Sequence, residues 1–210
     1  LAALPVGPLL WCFLWLDRYE PEPRHLLAMA LGWGAFVATS GALILQLIDQ
    51  GVFAPSELIA ASVVAPVTEE AAKGAFILLL FWFRRHELDG VLDGIVYAGM
   101  IGIGFAFSEN ILYLSSAYVG DEDLAGGFGS AVTVFVLRGI FSPFAHPFFT
   151  AFTGIGIGLA VTTRRSDIRI LAPLVGFGLA VLSHGLWNGS LSGDARYALL
   201  AYVGLMVPAF

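Results

Sequence analysis

Apolar positions in this chain follow no short period. They run on almost unbroken, and the polar residues collect in short gaps between the runs. A helix needs roughly 20 predominantly apolar residues to cross about 30 Å of hydrocarbon. Runs that reach or approach that length lie at about 1–16, 26–48, 57–83, 92–118, 131–161, 170–190 and 197–210. Their continuity argues against membrane β-strands, whose hydrophobicity alternates. The pattern predicts an all-α fold, a polytopic transmembrane helical bundle of about seven or more spans, with 1–210 as one integral-membrane domain. The chain opens on Leu1 and stops on Phe210 inside apolar runs, so its ends read as trimmed, with no signal peptide.

Composition excludes the alternatives. Of the 210 residues 58% are hydrophobic and 12% charged, and the mean hydropathy is +0.85, whereas a soluble domain carries about 25% charged residues. Too little polar surface remains to coat a soluble globule, and a net charge of −6 leaves no basic patch for nucleic acid. The bilayer is the expected partner. Cys12 is the single cysteine, so no internal disulfide forms.

The gaps between runs alternate in charge. Arg18 and Arg24, then Arg84 and Arg85, then Arg164, Arg165 and Arg169 mark every second gap, while 49–56 and 119–130 contain no Lys or Arg. Basic residues in short loops stay inside, which puts the loops around 17–25, 84–91 and 162–169 in the cytoplasm. A prokaryotic cell (inner or plasma) membrane suits such a chain. The acidic run Asp121 to Asp123 reads as a solvated loop.

Seven ionisable groups stand inside the runs: Glu69, Glu70, Lys73, Glu109, Arg138, His146 and His184. Each costs about 2.5–3.5 kcal/mol near the bilayer centre, so they must face inward and meet one another. Lys73 follows Glu69 by four residues and Glu70 by three, which brings all three onto one helical face. Glu109 has no basic residue within four positions, so its partner must come from another helix. Arg138 and His146 lie about 12 Å apart along one face, and His184 and Asn188 sit at i and i+4. The depths of these positions allow three carboxylates and two imidazoles to meet at or somewhat above the bilayer centre, on the outer side.

Such a site suits hydrolysis, with a carboxylate taking a proton from water and a His or Asn stabilising an oxyanion. His146, His184 and Glu109 could also hold Zn2+, since two His and one Glu suit a catalytic zinc. No His-Glu-x-x-His helix signals a metal. The same groups could form the relay of a proton-coupled transporter or channel, with Pro66, Pro143 and Pro147 breaking helices. A silent scaffold would explain the many glycines but not the carboxylates.

Glu69-Glu70-x-x-Lys73, Phe105-x-x-x-Glu109, the stretch from Arg138 to His146-Pro147, and His184-x-x-x-Asn188 resemble the motifs of the PrsW family of intramembrane proteases. Two loop segments, Asp17 to Pro23 and Leu88 to Gly94, resemble that family as well. The resemblance spans roughly residues 15 to 190. It implies a membrane-embedded endopeptidase related to the CAAX-processing and bacteriocin-immunity proteases, making the first, extracytoplasmic cut in a membrane-anchored anti-sigma factor. By that similarity Glu69 or Glu70 would activate water, Glu109 and His146 would position it, and His184 and Asn188 would support the oxyanion. Lys73 and Arg138 would take supporting roles. The CAAX relatives carry Phe-x-x-x-His where this chain has Glu109, and the resemblance implies either a zinc-dependent or a glutamate-dependent enzyme.

Overall fold

The computed structural model describes residues 1–120, 125–191 and 195–209, so the acidic run at Asp121 to Asp123 lies outside them. Every regular element among the described residues is helical. Besides a 3-10 turn at Arg85–Glu87, they are in chain order α1 (Val6–Asp17), α2 (Arg24–Phe53), α3 (57–83), α4 (Val91–Val119), α5 (Phe128–Thr162), α6 (Ser166–Leu191) and α7 (Ala195–Ala209).

Four of these, α2, α4, α5 and α6, are long and apolar enough to cross a membrane. α1 and α7 are shorter apolar helices. α3 has the length but carries Glu69, Glu70 and Lys73 within its turns, so its charge sets it apart from the four. The expected bundle of helices is therefore present, and the span count rests on these four. Each runs a few residues past its apolar stretch, because polar end residues still extend a helix.

α4 is the hub. Its apolar window is 72% buried against 11–39% for the other three, and it packs on α1, α2 and α5. A helix apolar all round is buried within a bundle or by lipid. Its start is capped by Asp93, whose Oδ2 accepts the backbone N–H of Asp89 and of Gly90, each at 2.8 Å. Gly94 of α4 meets Gly154 of α5 backbone to backbone, and a Cβ on either would overlap the other's carbonyl. Because backbone cannot yield as a side chain does, Gly94→Ala is expected to destabilise the bundle by about 1–3 kcal/mol, read as a lowered unfolding midpoint in detergent.

Three wide π-helical turns, Trp33–Ala38, Ala60–Val64 and Val136–Phe141, lie close to the polar cluster. Within a membrane each backbone carbonyl must find a partner inside the protein. Side chains supply them: Thr39 Oγ1 donates to Gly34 O at 2.9 Å, Ser108 Oγ to Ala35 O at 2.6 Å, Asn188 Nδ2 to Ala61 O at 3.0 Å and Ser142 Oγ to Leu137 O at 2.9 Å. α5 is interrupted at residues 142–144, where Pro143 cannot continue the hydrogen-bond ladder. Pro66 lies inside continuous helix, whereas Pro147 stands in the first turn after the break, where its missing N–H costs no helical bond. Of the three prolines, Pro143 stands in the break and Pro147 just after it, and only Pro66 leaves its helix unbroken.

The outward faces carry large apolar side chains, among them Phe36, Leu47, Phe53, Trp82, Leu174 and Leu186. Exposure on that scale marks a surface meant for lipid.

Candidate active site

α3 supplies Glu69, Glu70 and Lys73 from one face, as their spacing requires, and all three are buried. Lys73 Nζ lies 2.9 Å from Glu70 Oε1 and 3.5 Å from Glu69 Oε2, and donates to His146 Nδ1 at 2.9 Å. It also stands 3.8 Å over the Phe105 ring. Glu70 is fully enclosed, accepting from Lys73, from His184 Nδ1 at 3.0 Å and from Thr150 Oγ1 at 2.9 Å. Glu69 accepts from Gln46 Nε2 at 3.3 Å and lies 3.8 Å from His184 Nε2.

Glu109 of α4 finds its cation on another helix. Arg138 pairs with its carboxylate, and Arg138 Nε donates to Asn110 Oδ1 at 2.8 Å. His146 Nε2 donates to the same carboxylate at 2.7 Å. Arg138 and His146, on either side of the break in α5, thus reach one acceptor. Phe149 stacks on His184 with centroids 4.8 Å apart, and the two imidazoles meet edge to face at 5.3 Å. A cavity of about 520 Å³ opens beside the cluster, lined by Glu69, Glu109, Arg138, His146, His184 and Asn188. Glu70 and Lys73 do not line it, so they act through their neighbours. Asn188 stands one turn beyond His184, at the cavity wall, with its amide on Ala61 O.

Glu69, His146 and His184 each bring one ligand atom within 4.8 Å of the others. The candidate ligand set that the structure gathers thus holds Glu69 beside the two imidazoles, and not Glu109. The physical reason is that Glu109 is already held by Arg138 and by the far nitrogen of His146. This donor set fits zinc. Each imidazole places one nitrogen on a carboxylate, Glu109 for His146 and Glu70 for His184, as metal-ligating histidines do. Three carboxylates against the two fixed cations Lys73 and Arg138 also leave one negative charge for a metal ion to meet. At His146 Nδ1 a metal and the Lys73 ammonium would compete.

A model of the PrsW family of intramembrane metalloproteases matches residues 22–210. The chain belongs to the PrsW family. Proteins named Protease PrsW align with it from Clostridioides difficile, at 30% identity over 95% of this chain and 82% of that one, and from Geobacillus kaustophilus, at 28% over 98% and 83%. A third, from Oceanobacillus iheyensis, is 30% identical over 60% of this chain, a match spanning about half of that relative's length. No solved structure matches. As a member of the PrsW family the chain is a membrane-embedded peptidase, and the transporter and scaffold readings give way.

Two polar neighbours were not singled out from the sequence. Gln46 is an isolated polar residue inside the run 26–48, and Thr150 follows His146 by four residues, so each carried a legible signal. Tyr113 packs 4.1 Å under the Arg138 guanidinium, and Trp187 packs against a small cluster around Phe149.

Proposed function

We propose that this peptidase cuts a membrane-anchored protein of the anti-sigma-factor kind near its extracytoplasmic end, as the first step of its regulated intramembrane proteolysis. The observation that carries this reading is the depth of the site. At about 1.5 Å per residue, Glu69 lies about 21 Å along α3 from the 84–91 loop, and Glu109 about 27 Å along α4 from it. His184 lies a similar distance along α6 from the 162–169 loop. With the arginine-bearing loops in the cytoplasm, the reacting groups fall in the outer half of a prokaryotic cell membrane. α3 then acts as a further span, its charges hidden against α4, α5 and α6.

Within the cavity Glu69 and Glu109 are the carboxylates a substrate water can reach. Without a metal Glu69 is the group placed to accept its proton; with one it would serve as a ligand instead. Glu70 fixes the His184 ring and shares the Lys73 charge, and Arg138 stands at the wall where an oxyanion can be met. Zn2+, if held by Glu69, His146 and His184, supplies Lewis-acid polarisation and a more acidic water.

The test reconstitutes the full chain in liposomes with a single-span reporter and locates the cut by mass spectrometry. A cut in the outer half of the reporter span, with stoichiometric zinc that is lost in His184→Ala, is the expected result. A cut in the cytoplasmic half overturns the orientation, and an active protein without metal overturns the zinc assignment while leaving Glu69 as base.

A further inference from the structure

The loop segments 17–23 and 88–94 take no part in the cavity, yet the fold brings them together. They meet at the end of the bundle remote from Glu69, where Leu26, Leu88 and Leu80 share one core cluster. Carboxylate oxygens of Glu20, Asp89 and Asp93 converge there to within 4.8 Å of one another. Asp17 and Glu22 stand beside them: Glu22 N donates to Asp17 Oδ1 at 3.0 Å, and Tyr97 Oη donates to Glu22 Oε2 at 2.6 Å.

Five acidic groups so close need a compensating charge. Among the described residues no Lys or Arg forms an ion pair with any of them. Arg18, the nearest in sequence, lies instead over the rings of Trp15 and Tyr19.

Helix capping does not exhaust Asp93. Its Oδ2 holds the N–H groups of Asp89 and Gly90, but its Oδ1 is buried without a partner, on a side chain only 1% exposed. An unpartnered buried carboxylate oxygen is costly and unusual. Here it belongs to one of the three residues whose carboxylates converge. We propose that Glu20, Asp89 and Asp93 form a second, non-catalytic site for a hard divalent cation, Ca2+ or Mg2+, that fastens the 17–23 loop to the start of α4. An all-oxygen donor set is what such cations select, and the exposed Glu20 and Asp89 leave room for the waters they keep. The proposal is independent of the peptidase chemistry.

The test uses the full chain in detergent, stripped of metal, with Tb3+ as a luminescent probe sensitised by nearby tyrosines such as Tyr97 and Tyr19. Saturable binding is expected in the wild type, displaced by Ca2+ or by Mg2+, and the more effective competitor identifies the ion. Asp89→Asn and Glu20→Gln, both with exposed side chains, should each weaken Tb3+ binding at least ten-fold. Glu69→Gln should leave it unchanged, which separates this site from the cavity. Added Ca2+ or Mg2+ should raise the thermal midpoint of the wild type but not of Asp89→Asn. Binding that fails to saturate, that survives both loop substitutions, or that is lost in Glu69→Gln overturns the proposal.

Discussion

Glu69→Gln is expected to lower the cleavage rate by about a thousand-fold, within the range by which a positioned acid or base accelerates proton transfer. Of the two adjacent carboxylates on α3 it alone borders the cavity, and its oxygens face His184 Nε2 and the Gln46 amide. Gln keeps the shape and an acceptor oxygen but can neither take up a proton nor serve a metal as a charged ligand. The fold should persist, because Lys73 retains its 2.9 Å contact with Glu70. Initial rates on the reconstituted reporter, taken beside the unfolding midpoint, decide the matter. A rate within ten-fold of the wild type, at unchanged stability, would remove Glu69 from proton transfer.

Lys73→Met is expected to cost about 3–5 kcal/mol of stability, the price of leaving buried charge uncompensated. Lys73 has no exposed surface and serves Glu69, Glu70 and His146 at once. Met fills a similar volume and keeps contact with the Phe105 ring, so the loss reports charge and not a void. Adding Glu70→Gln removes one of the stranded carboxylates, and the double variant should recover a large part of the loss. Denaturant titration in detergent measures the coupling. Additive losses would show that the two groups are energetically separate despite their 2.9 Å contact. A rescue confined to stability, with no return of cleavage, would agree with Glu70 and Lys73 acting through their neighbours.

Helices were legible from the sequence because a bilayer leaves the backbone few choices. Every amide must bond within its own segment, so run length alone announces α2, α4, α5 and α6. α3 shows where that logic thins, since the charges that make it functional also spoil its apolar signature. The break at 142–144 was foreshadowed by Pro143 and Pro147, whereas Pro66 sits within continuous helix.

Within one helix the site was legible too. The i+3 and i+4 relation of Lys73 to its two carboxylates follows from 3.6 residues per turn, and the structure keeps it at 2.9 and 3.5 Å. Glu109's need for a partner on another helix could be argued from the absence of a near cation. Which cation it found could not. Arg138 lies 29 residues away, and the pairing depends on how α4 and α5 rotate and slide against each other.

The sequence by itself determined the chain's medium, its helical elements, the inward-facing set of ionisable residues and, through its motifs, the protease family. Tertiary structure alone decided the division of labour within that set. It enclosed Glu70 and opened Glu69 to the cavity, spent Glu109 on Arg138 and His146, and gathered Glu69 with both imidazoles. It also joined two distant acidic loops at the opposite end. The reason is physical: spacing along one helix is fixed by its pitch, but contacts between helices depend on axial rotation and depth, which the packing of Gly94 on Gly154 and its neighbours sets for the molecule as a whole.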